Sequence, residues 1–455
     1  MRPPSGGYNA PDMSTTHSAE AQPVVLSDAR ARRAMTLIIL AQCAGMLGRT
    51  AFDNGFLLAY FSRLGIGSSS ILYLLSLVDL MVMGLIVGAA VLADRHGKKR
   101  MGHAGQALMI VGYALIAAAA ACAASPGMVL AAVAGGVGLY GIGYTLFTSG
   151  WLALLSPIVP EATRGRFLGR LRLSWSLVSL IFFLAVTAVL KVSPTTPVFL
   201  VVILIVAALT FVRTLLYSRI PELEPPRPTR AGLLPILLNV LRAPGYLPFC
   251  AYVFLLMLFV GCCPKILNLL EKDVLGFGDS TVVLMGTMLL VGQMGGFFLG
   301  GTLVDRVGTK AVFLLCHFSF GAILTLFLAR GLLPAAAAPA YIGALTLAFG
   351  LAFGASSICV TTEMLSLIPG ENKSLAASAM LALQSGGVAL SGFIGGKALA
   401  LGVFSESWTL GSLTLSRYDT ILLGCAVMIV LLVVALGMVP SVLGIGVKSQ
   451  RWPTA

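Results

Sequence analysis

Long runs with almost no charged residue constrain the fold of this chain more than any other feature. A helix needs about 20 apolar residues to cross the hydrocarbon layer of a membrane, and several runs approach that length: Met35–Leu47, Ile71–Leu92, Pro197–Val212 and Ile421–Val439. Hydrophobic residues make up 58% of the 455 residues and charged residues only 10%, whereas soluble domains carry about 25% charged residues. The sequence therefore predicts an all-α membrane protein.

Glycine, proline and charged residues divide this apolar sequence into twelve predicted membrane-spanning helices. Their predicted ranges are 34–61, 68–92, 102–124, 127–156, 171–191, 195–217, 246–270, 280–304, 311–330, 335–367, 374–401 and 418–443. A proline-rich, charged stretch followed by an amphipathic segment at 233–241 predicts a cytoplasmic linker with a surface helix. The predicted organisation is a disordered cytoplasmic tail (1–33), a six-helix half (34–217), the linker (218–245), a second six-helix half (246–443) and a second cytoplasmic tail (444–455).

The basic residues are distributed unevenly between the two sides of the predicted membrane protein. If the amino terminus is cytoplasmic, 22 of the 30 Lys and Arg residues fall on the cytoplasmic side. This bias is the positive-inside rule, so membrane topology explains the net charge of +13 without a nucleic-acid partner. We therefore expect a multi-pass protein of the plasma membrane (the inner membrane of a bacterium), with the lipid bilayer as its partner and both termini cytoplasmic.

The second half of the chain repeats the first at an offset of 211 residues. Residues 90–99 (AVLADRHGKK) align with residues 301–310 (GTLVDRVGTK), and residues 64–68 (LGIGS) align with residues 275–279 (LGFGD). At an offset of 209, residues 160–164 (PEATR) meet residues 369–373 (PGENK). Internal repeats of this kind are typical of transporters built from two similar halves. The sequence thus predicts two pseudo-symmetric halves of six helices each.

The two decapeptides resemble the signature loop of the major facilitator superfamily, Gly-x-Leu-Ala-Asp-Arg-x-Gly-Arg-Lys, although Ala90 replaces the first glycine in the first copy. Residues 160–166 are also similar to the loop between helices four and five in the sugar-porter branch of that family. The resemblance spans residues 34–443 and implies that both loops latch the two halves together in one conformation. Alternatively, cationic loops only set the topology, which leaves the aspartate of both copies unexplained. The gating residues implied by the resemblance are Asp94, Arg95, Gly97, Asp305, Arg306 and Gly308.

Charged residues inside the predicted helices are the candidates for a transport site, because each costs a few kcal/mol in the membrane unless it has a partner or a water-filled cavity. Helix one carries Arg49, Asp53 and Asn54, and helix seven carries Lys265 and Asn268. One basic residue in each of these two helices is an arrangement that resembles the organophosphate and organic-anion branch of the family, where such residues clamp an anion. Alternatively, Arg49 and Asp53 lie four residues apart on one helix face and neutralise each other.

Asp53 is our first candidate for a proton carrier, because substrate and proton would then compete for Arg49. Asp79 in helix two and Glu363 in helix ten are alternatives, and uniport without proton coupling also remains open. Further hydrogen bonds and stacking to a substrate are expected from Tyr140, Tyr144 and Gln384. Packing between helices is an equally good explanation for the two tyrosines.

These patterns predict a secondary active transporter that works by alternating access, as a monomer. The best-supported activity is proton-coupled uptake of a small organic anion; the alternatives are export of cationic or amphipathic drugs, and transport of a sugar or another neutral solute. Ordinary drug antiport is disfavoured because residues 137–144 contain no arginine and residues 173–184 contain neither glycine nor proline. We expect no enzymatic activity, cofactor or metal, since the histidines form no cluster and the cysteines lack zinc-site spacing.

Overall fold

The computed structural model describes residues 27–160, 163–224, 238, 241, 242, 244–367, 373–411 and 413–438. Within these residues, twelve helices are long and apolar enough to cross a membrane, as predicted. The described residues leave out most of the predicted linker, all but residues 238 and 241 of the predicted amphipathic segment, residues 1–26 of the first predicted tail and the whole second tail. The all-α fold class is confirmed.

The fourteen α-helices that we number in chain order form these twelve spans. The first half contains α1 (Asp28–Asp53), α2 (Phe56–Arg63), α3 (Ser68–His96), α4 (Lys98–Ala118), α5 (Pro126–Leu155), α6 (Arg164–Val192) and α7 (Thr196–Ser218). The second half contains α8 (Tyr246–Val260), α9 (Cys263–Asp273), α10 (Asp279–Val307), α11 (Thr309–Leu328), α12 (Ala338–Leu367), α13 (Lys373–Ala400) and α14 (Arg417–Met438).

The predicted boundary of the amino-terminal tail differs from the structure. Helix α1 begins at Asp28, so the last residues of the predicted tail (1–33) are helical. Asp28 lies in the first turn of α1, where a negative charge is favourable beside the helix dipole. The basic residues that follow, Arg30, Arg32 and Arg33, are part of the same helix.

Two spans that were predicted as continuous helices are each divided into two. The first span breaks between α1 and α2 at Asn54 and Gly55, where Gly55 adopts a positive φ of 80° and the side chain of Asn54 accepts a hydrogen bond from the Phe56 N–H at 3.2 Å. The seventh span breaks between α8 and α9 at Gly261 and Cys262. Pro264 follows in the first turn of α9, where its missing N–H costs no helical hydrogen bond. Both breaks lie beside charged residues.

A short β-hairpin between α13 and α14 was not predicted. Strands β1 (Ser407–Leu410) and β2 (Leu413–Ser416) pair antiparallel. Gly411 in the connecting turn has a positive φ of 62°.

The contacts between the halves follow the symmetry expected from the repeat. Across the interface, α3 (span two) packs against α13 (span eleven), and α6 (span five) packs against α10 (span eight). The repeat relates span two to span eight and span five to span eleven, so the two contacts are equivalent. The aligned turns also share their backbone conformation: Gly97 and Gly308 have φ of 98° and 83°, and Gly65 and Gly276 have φ of 79° and 64°. The two-half architecture is therefore confirmed. We call the end of the molecule that carries the turns at Gly97 and Gly308 the basic side, and the end that carries the turns at Gly65 and Gly276 the opposite side.

Candidate functional site

A cavity of about 280 Å³ lies between the two halves, and both broken spans contribute to its wall. The break after α1 leaves Asp53 and Asn54 at the cavity, and the break before α9 leaves Lys265 there. Spans two, four, five, eight, ten and eleven complete the wall. The volume suits a small solute and is slightly below the usual range for ligand pockets.

Four charged side chains in this wall form a connected cluster, which we call the central tetrad: Arg49, Asp53, Asp79 and Lys265. The Nε of Arg49 donates to Asp53 at 3.0 Å, and its Nη2 donates to Asp79 at 3.1 Å. The Nζ of Lys265 lies 3.6 Å from the second oxygen of Asp79 and donates to the carbonyl oxygen of Leu75 at 3.1 Å. Two positive and two negative groups therefore balance each other, and both cations expected at an anion site already have carboxylate partners.

The members of the central tetrad differ in their access to water. The side chain of Asp53 is 45% exposed and that of Arg49 is 18% exposed, whereas Asp79 and Lys265 are 6% and 5% exposed. Asp53 is therefore the member that water or a solute in the cavity reaches first. Asp79 is a buried counter-charge that two cations share.

The predicted polar residues divide between the cavity wall and the helix packing around it. Tyr144, Gln384 and Asn54 line the cavity, and the guanidinium of Arg49 lies 5.5 Å from the centre of the Tyr144 ring. Tyr140 does not line it; this ring is buried and stacks on Phe52 with centroids 4.5 Å apart. For Tyr140, packing is thus the role that its surroundings favour.

Two further candidates lie apart from the cavity wall. Asn268 is buried near the backbone of Gly55, where the first span breaks. Glu363 is buried towards the basic side of α12 and accepts a hydrogen bond from the Thr309 hydroxyl at 3.0 Å, at the start of α11. The structure therefore brings Arg49, Asp53, Asn54, Asp79, Tyr144, Lys265 and Gln384 together, but not Tyr140, Asn268 or Glu363.

The cavity wall also contains polar residues outside the predicted set. Gln293 of α10, Thr50 of α1 and Ser385 of α13 all line it. The signal for Gln293 was its position as an uncharged polar residue in the middle of an apolar span, which requires a partner or water in the same way as a charge does.

On the opposite side, an ion cluster joins the two halves. We call Arg63, Lys272 and Asp279 the ionic gate: Arg63 of α2 donates to Asp279 through Nε at 3.2 Å and Nη2 at 2.5 Å, and Lys272 of α9 donates to it at 2.5 Å. Nearby, Ser68 of the first half donates to Asp273 of the second at 2.6 Å. The halves are therefore closed against each other on the opposite side.

The signature loops on the basic side make no such ionic connection between the halves in the part of the chain that the structure describes. Asp94, Arg95, Asp305 and Arg306 are all exposed. Lys98 of the first decapeptide instead pairs with the start of the linker: its N–H donates to Glu222 at 2.8 Å and its Nζ to Glu224 at 2.5 Å. The latch role of the six signature-loop residues stays a prediction.

Among the described residues, no group of three or more His, Cys, Asp or Glu side chains could hold a metal ion. The side chains that line the cavity offer charges, hydrogen bonds and aromatic faces. Such a set can bind a charged solute and exchange protons.

Comparisons with known proteins agree with this architecture. The family model described as Major Facilitator Superfamily matches residues 37–392, while no curated protein matches the sequence. Among solved structures, a POT family transporter in complex with 5-aminolevulinic acid is similar with a TM-score of 0.68 and 12% identity, covering 90% of this chain and 96% of that one.

Two further structures are similar over comparable lengths. A mutant of the nucleoside transporter NupG has a TM-score of 0.66 and 15% identity, covering 89% of this chain and 99% of that chain. A D-xylose-proton symporter has a TM-score of 0.63 and 14% identity, covering 88% and 96%. At these identities the structural likeness concerns the fold alone.

Proposed function

Since the chain belongs to the major facilitator superfamily and is a membrane transporter of that type, we propose that it couples protons to the uptake of a small organic anion through the central tetrad. The single observation that carries this proposal is the contact between Arg49 and Asp53. Asp53, the more exposed of the two acids in the cavity wall, accepts a hydrogen bond at 3.0 Å from the Nε of Arg49, whose guanidinium would bind the anion.

The coupling follows from competition for that guanidinium. While Asp53 is ionised, it holds Arg49, and the two positive and two negative charges of the tetrad cancel. A proton on Asp53 removes one negative charge and frees one edge of the guanidinium. Opposite charges about 4 Å apart attract by about 4 kcal/mol at a protein surface, so this change is large enough to decide whether an anion binds.

The other tetrad members keep the site ready without being consumed. Asp79 continues to hold Arg49 at 3.1 Å, which fixes the orientation of the guanidinium. Lys265 adds a second positive charge from the other half of the molecule, 3.6 Å from Asp79. A carboxylate or phosphate on Arg49 would then feel a cation from each half, and closure of the halves around it would be favoured.

The direction of transport is proposed from the placement of the charges. The positive-inside rule assigns the basic side to the cytoplasm, and the ionic gate closes the opposite side. A proton and an anion that enter when the gate is open would leave towards the cytoplasm when it is closed. The protein would act as a monomer in the plasma membrane, or the inner membrane of a bacterium, with both termini on the cytoplasmic side.

Thermal-shift measurements on the purified protein test the proposal across several classes of substrate at once. The panel contains monocarboxylates, sugar phosphates, neutral sugars and cationic drugs, at acidic and at neutral pH. A ligand that binds the folded state raises the melting temperature. We expect an organic anion to stabilise the protein more strongly at acidic pH.

Variants then assign the effect to the tetrad. Asp53→Asn should bind the anion equally at both pH values, and Arg49→Ala should not bind it at either. Arg417→Ala is the matched control, because Arg417 lies beside the β-hairpin and its nearest acid, Glu406, is 3.9 Å away. Stabilisation by cations or neutral sugars alone would overturn the proposal and point to one of the other two activities.

A zwitterionic substrate is a second candidate, favoured by one observation. Arg49 and Asp53 both line the cavity and are the two most exposed members of the tetrad, so an amino acid could replace this pair, with its carboxylate on Arg49 and its ammonium on Asp53. The similar POT family structure contains 5-aminolevulinic acid, which suits this test. Stabilisation by that compound, lost in both Arg49→Ala and Asp53→Asn, would favour the zwitterion over the simple anion.

A further inference from the structure

One acidic side chain in the seventh span is buried without any of the partners that the tetrad acids have. Glu271 of α9 is 1% exposed, and neither of its carboxyl oxygens has a hydrogen-bond partner among the described residues. It lies next to Lys272 of the ionic gate and eight residues before Asp279, the acid of that gate. Asp279 is equally buried but accepts bonds from two cations.

Among the described residues on the elements that pack against α9, no cation is left to neutralise Glu271 in this conformation. The elements that pack closely against α9 are α2, α3, α10 and α14. Their charged groups near the gate are Arg63, Asp279, Arg417 and Asp419, and each pairs elsewhere: Arg63 with Asp279, Arg417 with Glu406, and Asp419 with Arg330.

The charged groups of α9 itself, and the acid of α3, are also engaged. Lys272 pairs with Asp279, Asp273 accepts bonds from Ser68 and Tyr418, and Lys265 pairs with Asp79. Each of these charged groups thus bonds with a partner other than Glu271. An ionised carboxylate that is buried without a donor costs several kcal/mol, and protonation lowers this cost to that of a neutral unpaired polar group.

We propose that Glu271 is a proton-binding site of the ionic gate, protonated while the halves are closed on the opposite side and ionised when that side opens. The step is a reversible proton exchange: the carboxylate takes a proton from water on the opposite side and returns it there, and no other bond changes. Because the ionised form is costly only in the closed state, binding of the proton favours closure.

This proton site is distinct from Asp53 in both place and consequence. Asp53 faces the cavity, and its proton changes the affinity for substrate. Glu271 is buried and directly precedes Lys272 of the ionic gate, and its proton changes the equilibrium between open and closed conformations. The closed population should therefore fall as the pH rises, by up to about tenfold in the closed-to-open ratio per pH unit for a single proton.

The test measures the distance across the gate in the full-length protein, in lipid nanodiscs and without substrate. Gly67 and Gly278 are equivalent positions at the starts of α3 and α10; both are exposed, and an added Cβ would meet no atom within 4 Å at either. Nitroxide labels carried by an encoded amino acid at these two positions avoid the native cysteines. Pulsed electron paramagnetic resonance then gives the open and closed fractions across a pH series.

The expected result is a closed fraction that falls with rising pH in the native protein and stays high at every pH in Glu271→Gln, which mimics the protonated form. Asp28→Asn is the matched control, because Asp28 is exposed in the first turn of α1; its pH dependence should equal that of the native protein. Asp53→Asn should also keep the pH dependence, which separates this proposal from the function of the tetrad. A native distance without pH dependence, or the same dependence in Glu271→Gln, overturns the proposal.

Infrared spectroscopy gives a second readout that does not require the glutamine variant to fold. A buried, protonated carboxyl without a hydrogen bond has a C=O stretching band that is separate from those of carboxylates. We expect this band in the native protein when the gate is closed, and a displaced band in Glu271→Asp. Its absence from the native spectrum would overturn the proposal independently of the distances.

Discussion

The central tetrad and the ionic gate are built from the same kinds of side chain, but they differ in which member is exposed. At the gate, the acid is the buried member: Asp279 is 2% exposed between Arg63 and Lys272. In the tetrad, one acid is buried in the same way, while Asp53 is 45% exposed. A fully enclosed acid fixes its cations, whereas an exposed acid can give up its cation to a solute or a proton.

The largest effect is expected at the buried half of the tetrad. Lys265→Ala leaves Asp79 with Arg49 as its one cation partner among the described residues, so the guanidinium is held more firmly and is less available to a substrate. We expect uptake into proteoliposomes to fall at least about a hundredfold, which corresponds to about 3 kcal/mol. Lys397→Ala, at an exposed position of α13, is the matched control and should leave uptake unchanged. Native uptake in Lys265→Ala would remove this residue from the site.

The next effect concerns the buried acid of the gate. Asp279→Asn keeps the shape of the side chain but leaves Arg63 and Lys272 without their shared carboxylate. Removing one partner of a buried pair costs about 3–5 kcal/mol, and the 32% exposure of Arg63 places this case at the lower end. We expect the closed-to-open ratio across the gate to fall about a hundredfold.

The label pair at Gly67 and Gly278 measures this change directly. Glu406→Gln, which removes an exposed acid on the same side, should leave the distance distribution unchanged. An unchanged distance distribution in Asp279→Asn would mean that packing alone closes the halves and that the ion pairs of the gate do not stabilise the closed state.

A packing variant tests that last possibility on its own. An added Cβ at Gly286 of α10 would come within 2.5 Å of the Cα of Asn54 and closer still to its carbonyl oxygen, where the first span breaks. Backbone atoms cannot move aside as flexible side chains do, and overpacking of this kind costs about 1–3 kcal/mol. Gly286→Ala should therefore disfavour the closed state about tenfold, and amide hydrogen exchange in α2 should become faster.

Gly88→Ala controls for the loss of a glycine from a long span, because no atom lies within 4 Å of a Cβ at Gly88. Its exchange rates in α2 should match those of the native protein. Equal rates in Gly286→Ala and Gly88→Ala would show that the close contact at Asn54 contributes nothing to closure.

The sequence was sufficient for the spans and for the duplication. The repeat at an offset of 211 placed glycines at Gly97 and Gly308, and the backbone at both adopts the positive φ that this residue tolerates. The apolar runs predicted the number of spans correctly, because every backbone N–H and C=O group in lipid must find its hydrogen bond within a helix. The hairpin at 407–416 was missed, although Trp408, Leu410, Leu413 and Leu415 alternate with other residues around Gly411.

The site could be predicted in its residue types but not in its pairings. Arg49 and Asp53 are close in sequence, so their pairing was anticipated as one alternative. The contact of Asp79 with both Arg49 and Lys265 depends on how three spans are rotated and on the breaks beside them, and neither property is visible in hydropathy. Tyr140 also shows that packing partners could not be predicted. Periodicity places Tyr140 on the same helix face as Tyr144, but it does not show that the Phe52 ring stacks against Tyr140.

The smallest expected effect separates charge from geometry at the gate. Arg63→Lys keeps the positive charge beside Asp279 but loses the second donor, Nε, at 3.2 Å. Because Arg63 is partly exposed and Lys272 still holds the acid, the closed state should lose less than about 1 kcal/mol. Arg63→Gln, which removes the charge as well, should shift the gate distances further towards the open state. If the lysine variant opens the gate as far as the glutamine variant does, the two-donor geometry rather than the charge holds the halves together. The buried Asp279 would then give up its cation as readily as the exposed Asp53 of the central tetrad does.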